Sequence, residues 1–261
     1  MHGAALAAVP PLTAGRDLLL ALAGVAAGIF NGVAGGGTLI AFPTLLALGY
    51  PALTANVTTT VGIWPGYLGG VAGFRAEIAD QRALVRFLAP SAVAGAVVGA
   101  VLLLTTPSAE FARLAPWLVL FAAALFAVQP LLVRRFGPAA HDHPTRRLLL
   151  LGGTFCTSVY GGYFGAAMGI ILLAVLGLAL PDTLARTSGM RTVLSVLVNG
   201  IAAAVFVVHA HLAWGAVAML AVGSVVGGWA GAHLARRLPA PALRVVVVAI
   251  GVATTVKLAV G

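Results

Sequence analysis

Two stretches of this chain, Leu18–Leu48 and Leu148–Leu180, contain no charged side chain, and both are interrupted near the middle by glycines. As one continuous helix the first would extend about 46 Å at 1.5 Å per residue. A bilayer hydrocarbon core is only about 30 Å thick. Each stretch is therefore expected to fold as two shorter helices with a break, either crossing as a discontinuous helix or dipping in and returning. The first break reads Gly28-Ile-Phe-Asn31-Gly32-Val-Ala-Gly35-Gly36-Gly37-Thr38, and the second Ser158-Val-Tyr160-Gly161-Gly162-Tyr163-Phe-Gly165-Ala166-Ala167-Met168. At an offset of 130, Gly32 falls on Gly162, Gly35 on Gly165, Pro51 on Pro181, Ala55 on Ala185 and Gly70 on Gly200. Paired, glycine-interrupted apolar segments at matching places in two halves mark a transporter whose solute site lies between the halves.

Composition agrees. Apolar residues make up 61% of the chain and charged residues 8%, against about 25% charged in an average soluble domain. No water-facing surface can be built from that supply, and the expected class is an all-α polytopic membrane protein. The net charge of +9 would point to nucleic acid in a soluble protein. Here most arginines fall in short connections between apolar runs, where they set orientation. The expected surroundings are the lipid bilayer of the cell inner (cytoplasmic) membrane and a small anionic substrate, with no nucleic acid. The oligomeric state stays open, a homo-oligomer included.

Eight apolar runs lie near residues 18–48, 52–74, 84–105, 114–133, 148–180, 187–208, 212–235 and 242–260. The duplication extends to Gly95-Ala-Val-Val-Gly99, which resembles Gly223-Ser-Val-Val-Gly227 at an offset of 128. The organisation expected is a first repeat over 1–133, a polar linker over 134–147 and a second repeat over 148–261, with four segments in each. Glycines four apart let helix backbones approach closely in a membrane, a packing role. Trp64-Pro65-Gly66 is expected to kink the second run.

Basic residues weigh crossing against return. If every run crosses, nine basic residues (Arg16, Arg75, Arg82, Arg86, Arg134, Arg135, Arg146, Arg147 and Lys257) oppose five. If the first and fifth runs return instead, ten arginines gather on one side, and only Arg16, Arg113 and Lys257 face the other. The positive-inside rule favours return, which leaves three crossings and one hairpin per half and makes the halves inverted.

All six acidic residues lie at segment ends or in loops. A carboxylate-based cation site at membrane depth finds no support, which points to an anion or a neutral solute. Polar residues enter the apolar runs just after the breaks. They are Asn31, Thr38, Asn56, Thr58, Thr59 and Thr60 in the first half, and Arg186, Thr187, Ser188, Arg191, Thr192, Ser195 and Asn199 in the second. Arg186 has a second reading, snorkelling to the interface beside Asp182 one turn earlier. The half-helices that restart after Gly35–Gly37 and Gly165–Ala167 present unsatisfied backbone N–H groups that attract an anion. The alternative is that these glycines only permit a tight turn.

No catalytic residue, metal site or cofactor is expected. Cys156 is the single cysteine, His209 and His211 read as an exposed loop, and no hydrolase or P-loop pattern occurs. The N-terminal segment lacks the basic region of a cleaved signal peptide.

Gly32-x-x-Gly35-Gly-Gly-Thr38-Leu39-x-x-x-Pro43, then Leu48-Gly49 and Ala55-Asn-Val-Thr58-Thr59, with the weaker second copy at Gly165, Pro181, Ala185-Arg186 and Ser188, resemble the TauE/SafE family of sulfite and organosulfonate exporters. The second copy departs from the glycine triplet at Ala166 and Ala167. The resemblance implies a secondary transporter of small sulfur-containing anions such as sulfite, sulfoacetate or related sulfonates. The expected substrate-binding set is Asn31, Gly35, Gly36, Gly37, Thr38, Asn56, Thr58, Thr59, Gly165, Arg186, Ser188, Arg191 and Asn199, acting by alternating access. A passive anion channel of the same architecture and an intramembrane enzyme using Cys156, Ser158 or the His pair are the rival readings.

Overall fold

The computed structural model describes residues 10, 13–33, 35–135, 145–180, 182–234 and 248–256. Those residues form helices and no strand. The helices are α1 (Ala14–Val33), α2 (Thr38–Ala47), α3 (Ala52–Gly73), α4 (Arg75–Ala79), α5 (Arg82–Thr105), α6 (Ser108–Arg135), α7 (Thr145–Tyr163), α8 (Met168–Ala179), α9 (Leu184–His209) and α10 (Trp214–Leu234). Residues 248–256 are helical as well. Five of the helices are long and apolar enough to cross a membrane. Their outward faces carry Leu, Val and Trp, with Trp117, Trp214 and Trp229 each more than half exposed. An apolar exterior on this scale is a lipid-facing one.

The apolar runs map onto this list one for one, except that the first and fifth each divide, into α1 with α2 and α7 with α8. The short α4 was not foreseen. Pro65 lies inside an uninterrupted α3. Most of the linker over 134–147, Pro181, and the basic residues Arg236, Arg237, Arg244 and Lys257 lie outside the described residues, as do the side chains of Arg134, Arg135 and Gln129.

Small residues decide which helices touch. A methyl on Gly24 would strike the Leu220 backbone, one on Gly28 the Ser224 carbonyl, and one on Gly227 the Val25 carbonyl. So α1 and α10 lie backbone to backbone and run the same way. Gly62, Gly66 and Gly69 meet Leu220, Ser224 and Gly228 in turn, which makes α3 parallel to α10 as well. A second seam joins α5 to α7. Gly95 abuts Phe155 and Ser158, Gly99 abuts Val159, and Gly162 abuts Ala96. Such contacts supply the close dispersion and Cα–H···O interactions that hold helices together where no hydrophobic drive exists.

Direction follows from these contacts. Because α1 and α3 run parallel, α2 between them must carry the chain back. On the other side, Gly161 packs on Met168 and Gly153 on Val175, an antiparallel α7–α8 hairpin. With 10 and 12 residues, α2 and α8 rise about 15 and 18 Å. The chain thus leaves each broken segment at the end of the bundle from which it entered, the returning option of the two. Gly70 of α3 meets Thr192 of α9 while Trp64 meets Gly200, so α3 and α9 run antiparallel. Gln81, just before α5, donates from Nε2 to the Arg186 carbonyl at 2.9 Å, which sets α5 and α9 starting at the same end. Aromatic rings fill the space around the tips, with Phe42 edge-on to Phe164 at 5.3 Å between centroids.

Candidate functional site

The site is built from the two breaks. At the first, Gly35 adopts φ +77°, a left-handed conformation open to glycine at little cost, and its N–H donates to the Phe30 carbonyl at 2.9 Å. Gly37, which precedes α2, donates its N–H to Asn31 Oδ1 at 2.8 Å. One of the orphan donors expected to face an anion is therefore taken by a side chain six residues earlier. Asn31 Nδ2 stays buried with no partner among the described residues.

The second break repeats the geometry at its first glycine. Gly165 also has φ +77°, and Ala167, standing where a third glycine was absent, takes φ +60°. A non-glycine residue there costs about 1–2 kcal/mol, and it is held by its surroundings. The Tyr160 hydroxyl donates to the Ala166 carbonyl at 2.7 Å, and Ala167 itself is fully buried.

The breaks meet. A methyl on Gly35 would stand 3.1 Å from Gly169 Cα and 3.5 Å from Arg191 Nη1; one on Gly169 would stand 3.2 Å from Gly35 Cα and 3.5 Å from Arg191 Cδ. The restart of α8 thus lies against the first glycine turn, with the Arg191 side chain alongside both. Arg191 is 3% exposed and is the one charged side chain buried among the described residues. It makes no ion pair or hydrogen bond within that set. Its electrostatic neighbour is Tyr67 of α3, itself 3% exposed. Gly70 and Thr192 pack beside Gly32 at the end of α1, closing the flank. A buried guanidinium carries five N–H donors and no acceptor, and leaving it unpaired in low dielectric is costly. An oxyanion fits that deficit in both charge and donor geometry.

The other expected residues divide. Asn199 reaches the second break, its Oδ1 3.5 Å from where a methyl on Gly165 would lie while Nδ2 donates to the Ser195 carbonyl at 2.9 Å. Asn56 joins the halves, donating from Nδ2 to the Tyr163 carbonyl at 2.9 Å; its Oδ1 is buried without a partner among the described residues. The Thr59 hydroxyl is likewise buried and unpaired there. Thr58 Oγ1 accepts the Ala213 N–H at 3.2 Å, at the entry to α10. Gly36 faces the Phe126 ring, Thr38 is buried, and Ser188 is half-buried, its carbonyl accepting from Thr192. Arg186 stands apart from Arg191. Its Nε lies 2.8 Å from Asp182 and its Nη1 3.6 Å from Asp80, with the side chain about one-third exposed. The snorkelling reading describes it.

Three participants had no sequence signal. Gly169 maps on Leu39 at the offset of 130, so the duplication could not flag it. Tyr67 is an ordinary aromatic in an apolar run. Gln81 is 4% exposed and ties Glu77 to Arg186 through two carbonyls. Trp64 does more than precede a proline, since its indole N–H donates across to the Val196 carbonyl at 3.0 Å.

Comparison with known proteins places this architecture. A relative from Haemophilus influenzae (strain ATCC 51907 / DSM 11121 / KW20 / Rd), described as a probable membrane transporter protein, is 26% identical over 253 residues, covering 94% of this chain and 95% of its own. No solved structure gives a significant match. The family description Sulfite exporter TauE/SafE matches residues 20–258, from early α1 past the last described helix, so the apolar bundle, both glycine breaks and the buried arginine between them are those of a multi-pass membrane protein belonging to the TauE/SafE sulfite exporter family.

Proposed function

We propose that this protein is a secondary transporter of small sulfur-containing anions, sulfite and organosulfonates, working by alternating access. The observation that carries the reading is Arg191, buried without a carboxylate partner among the described residues beside the contact of Gly35 with Gly169. The anion's oxygens pair with the guanidinium, and Asn31 Nδ2 and the Thr59 hydroxyl, both buried donors without partners among the described residues, complete the shell together with Asn199. Arg186 belongs to the rim, where Asp80 and Asp182 hold it.

Alternating access follows if the halves are inverted repeats, 1–133 and 148–261, each ending its first segment in a hairpin. The exchange of partners supports this. The first helix of each half packs on the third helix of the other, α1 on α10 and α7 on α5, and the second helices α3 and α9 cross antiparallel. Gly95 and Gly99 abut the carbonyls of Phe155 and Val159, as Gly227 and Gly231 abut those of Val25 and Ile29. By contact the third helices therefore correspond at an offset of 132, one turn from the 128 suggested by the shared Val-Val. The backbone contact between the breaks favours a carrier over an open pore.

Thermal unfolding of the purified protein in detergent tests the site. Sulfite or methanesulfonate at 100 times Kd stabilises the wild type by about 2.7 kcal/mol, whereas Arg191→Met, which keeps the volume and removes the charge, gives no shift. Equal stabilisation of both proteins, or none of either, refutes the anion site.

A further inference from the structure

We infer that the transporter is an anion-for-anion exchanger that carries one monoanion per transit and couples to no cation; the inference rests on the anion site proposed above. The first premise is charge. Within the described residues the interior holds one ionised group, Arg191. Asp17, Glu77 and Glu110 lie in the first turns of α1, α4 and α6, while Asp80 and Asp182 are engaged with Arg186 at the rim. Tyr67, which faces Arg191 from α3, carries a neutral phenol and supplies no counter-charge. Among the described residues no carboxylate is buried as Arg191 is; Asp17 keeps one shielded, unpaired oxygen, Oδ1, but in the first turn of α1, at the opposite end of that helix from the glycine break.

The second premise is packing. Arg191 lies against backbone of both tips, Gly35 and Gly169, so the transition between outward and inward states closes protein around the guanidinium. With one monoanion bound, the group that closes is a neutral, hydrogen-bonded pair. Empty, it is an unpaired cation stripped of water, and a lone buried charge is far more costly than a pair. Loaded transit is therefore fast and empty transit slow, which makes the protein an exchanger. A dianion such as sulfate leaves one uncompensated negative charge and is excluded by the same argument. The substrates are monoanions, bisulfite or a sulfonate without a second acid group.

The test uses proteoliposomes of the full chain loaded with radiolabelled methanesulfonate and diluted into medium containing either gluconate or methanesulfonate. External methanesulfonate is expected to speed efflux on the order of 100-fold, the scale set by leaving a buried charge unpaired. Replacing sodium by choline, adding a protonophore or clamping the membrane potential should leave exchange unchanged. An empty-return-limited net flux, in contrast, would change by up to about 50-fold per 100 mV. External sulfate should not substitute. Efflux into gluconate at the exchange rate, uphill uptake driven by a sodium or proton gradient, exchange with sulfate, or no flux in either medium by protein that methanesulfonate stabilises would each overturn the exchanger while the anion site stands. Absence of both stabilisation and flux removes the anion site, and the exchanger with it.

Discussion

Gly35→Ala tests whether the contact between the two breaks is a real restraint, and a second glycine supplies its internal control. Gly49, in the turn after α2, has φ +88°, and a methyl there would meet only Pro10 Cγ at 3.8 Å. Gly49→Ala therefore measures the left-handed penalty by itself, about 1 kcal/mol after the loss of unfolded-state freedom is credited. Gly35 shares that penalty at φ +77°, but its methyl would also stand 3.1 Å from Gly169 Cα. That atom is backbone and can only yield by moving α8. Overpacking of this kind adds about 1–3 kcal/mol, so Gly35→Ala should cost about 2–4 kcal/mol in total. The assay is reversible unfolding in mixed micelles, with methanesulfonate binding measured on the folded fraction. Binding should weaken in Gly35→Ala, because the methyl also comes within 3.5 Å of Arg191 Nη1, and stay intact in Gly49→Ala. Equal destabilisation of the two variants would refute the contact, and unaltered binding in Gly35→Ala would refute its place at the site.

Asn31→Ala leaves the Gly37 N–H buried without its 2.8 Å acceptor; a cost of about 1–3 kcal/mol is expected by the same unfolding assay, and a cost near zero would show that water replaces the side chain. Trp64→Phe removes the donor to the Val196 carbonyl together with the five-membered ring packed on Gly200, so it should cost more than the roughly 1 kcal/mol of the hydrogen bond alone. Asp80→Asn breaks the longer, solvent-exposed contact to Arg186 and keeps the one to Asp182, so the unfolding midpoint should not move. Cys156 is exposed, and Cys156→Ala should transport at the wild-type rate; lost turnover would revive an intramembrane enzyme.

Periodic apolarity and charge placement carried much of the fold into view before any coordinates. The two overlong runs had to divide, because neither a straight helix nor a soluble surface accommodates them, and both divide at the glycines. Gly35 and Gly165, paired by offset, share the same φ of +77°. The choice of return over crossing was legible only through the arginine distribution. Other features lay beyond a single sequence, since spacing reports which residues share a helix and not which face another helix covers. For that reason Gly169 went unseen. Arg186 and Arg191 also looked alike on paper. Asp80, distant in sequence, reaches Arg186 from the α4–α5 turn, whereas Arg191 lies against Gly35 and Gly169.

The exchanged seams have a consequence for biogenesis. α1 finds its long glycine seam in α10, and Gly24 waits for Leu220, about 200 residues later in synthesis. At 5–20 residues per second the ribosome takes on the order of 10–40 s to deliver it. Throughout that interval α1 sits in the bilayer with its glycine face uncovered, a surface that any small-residue helix passing by can occupy. α7 has no such delay, because α5 is already made when it emerges. Assembly of the two seams is therefore asymmetric in time, and a chain truncated before Trp214 leaves the α1 seam open to the bilayer.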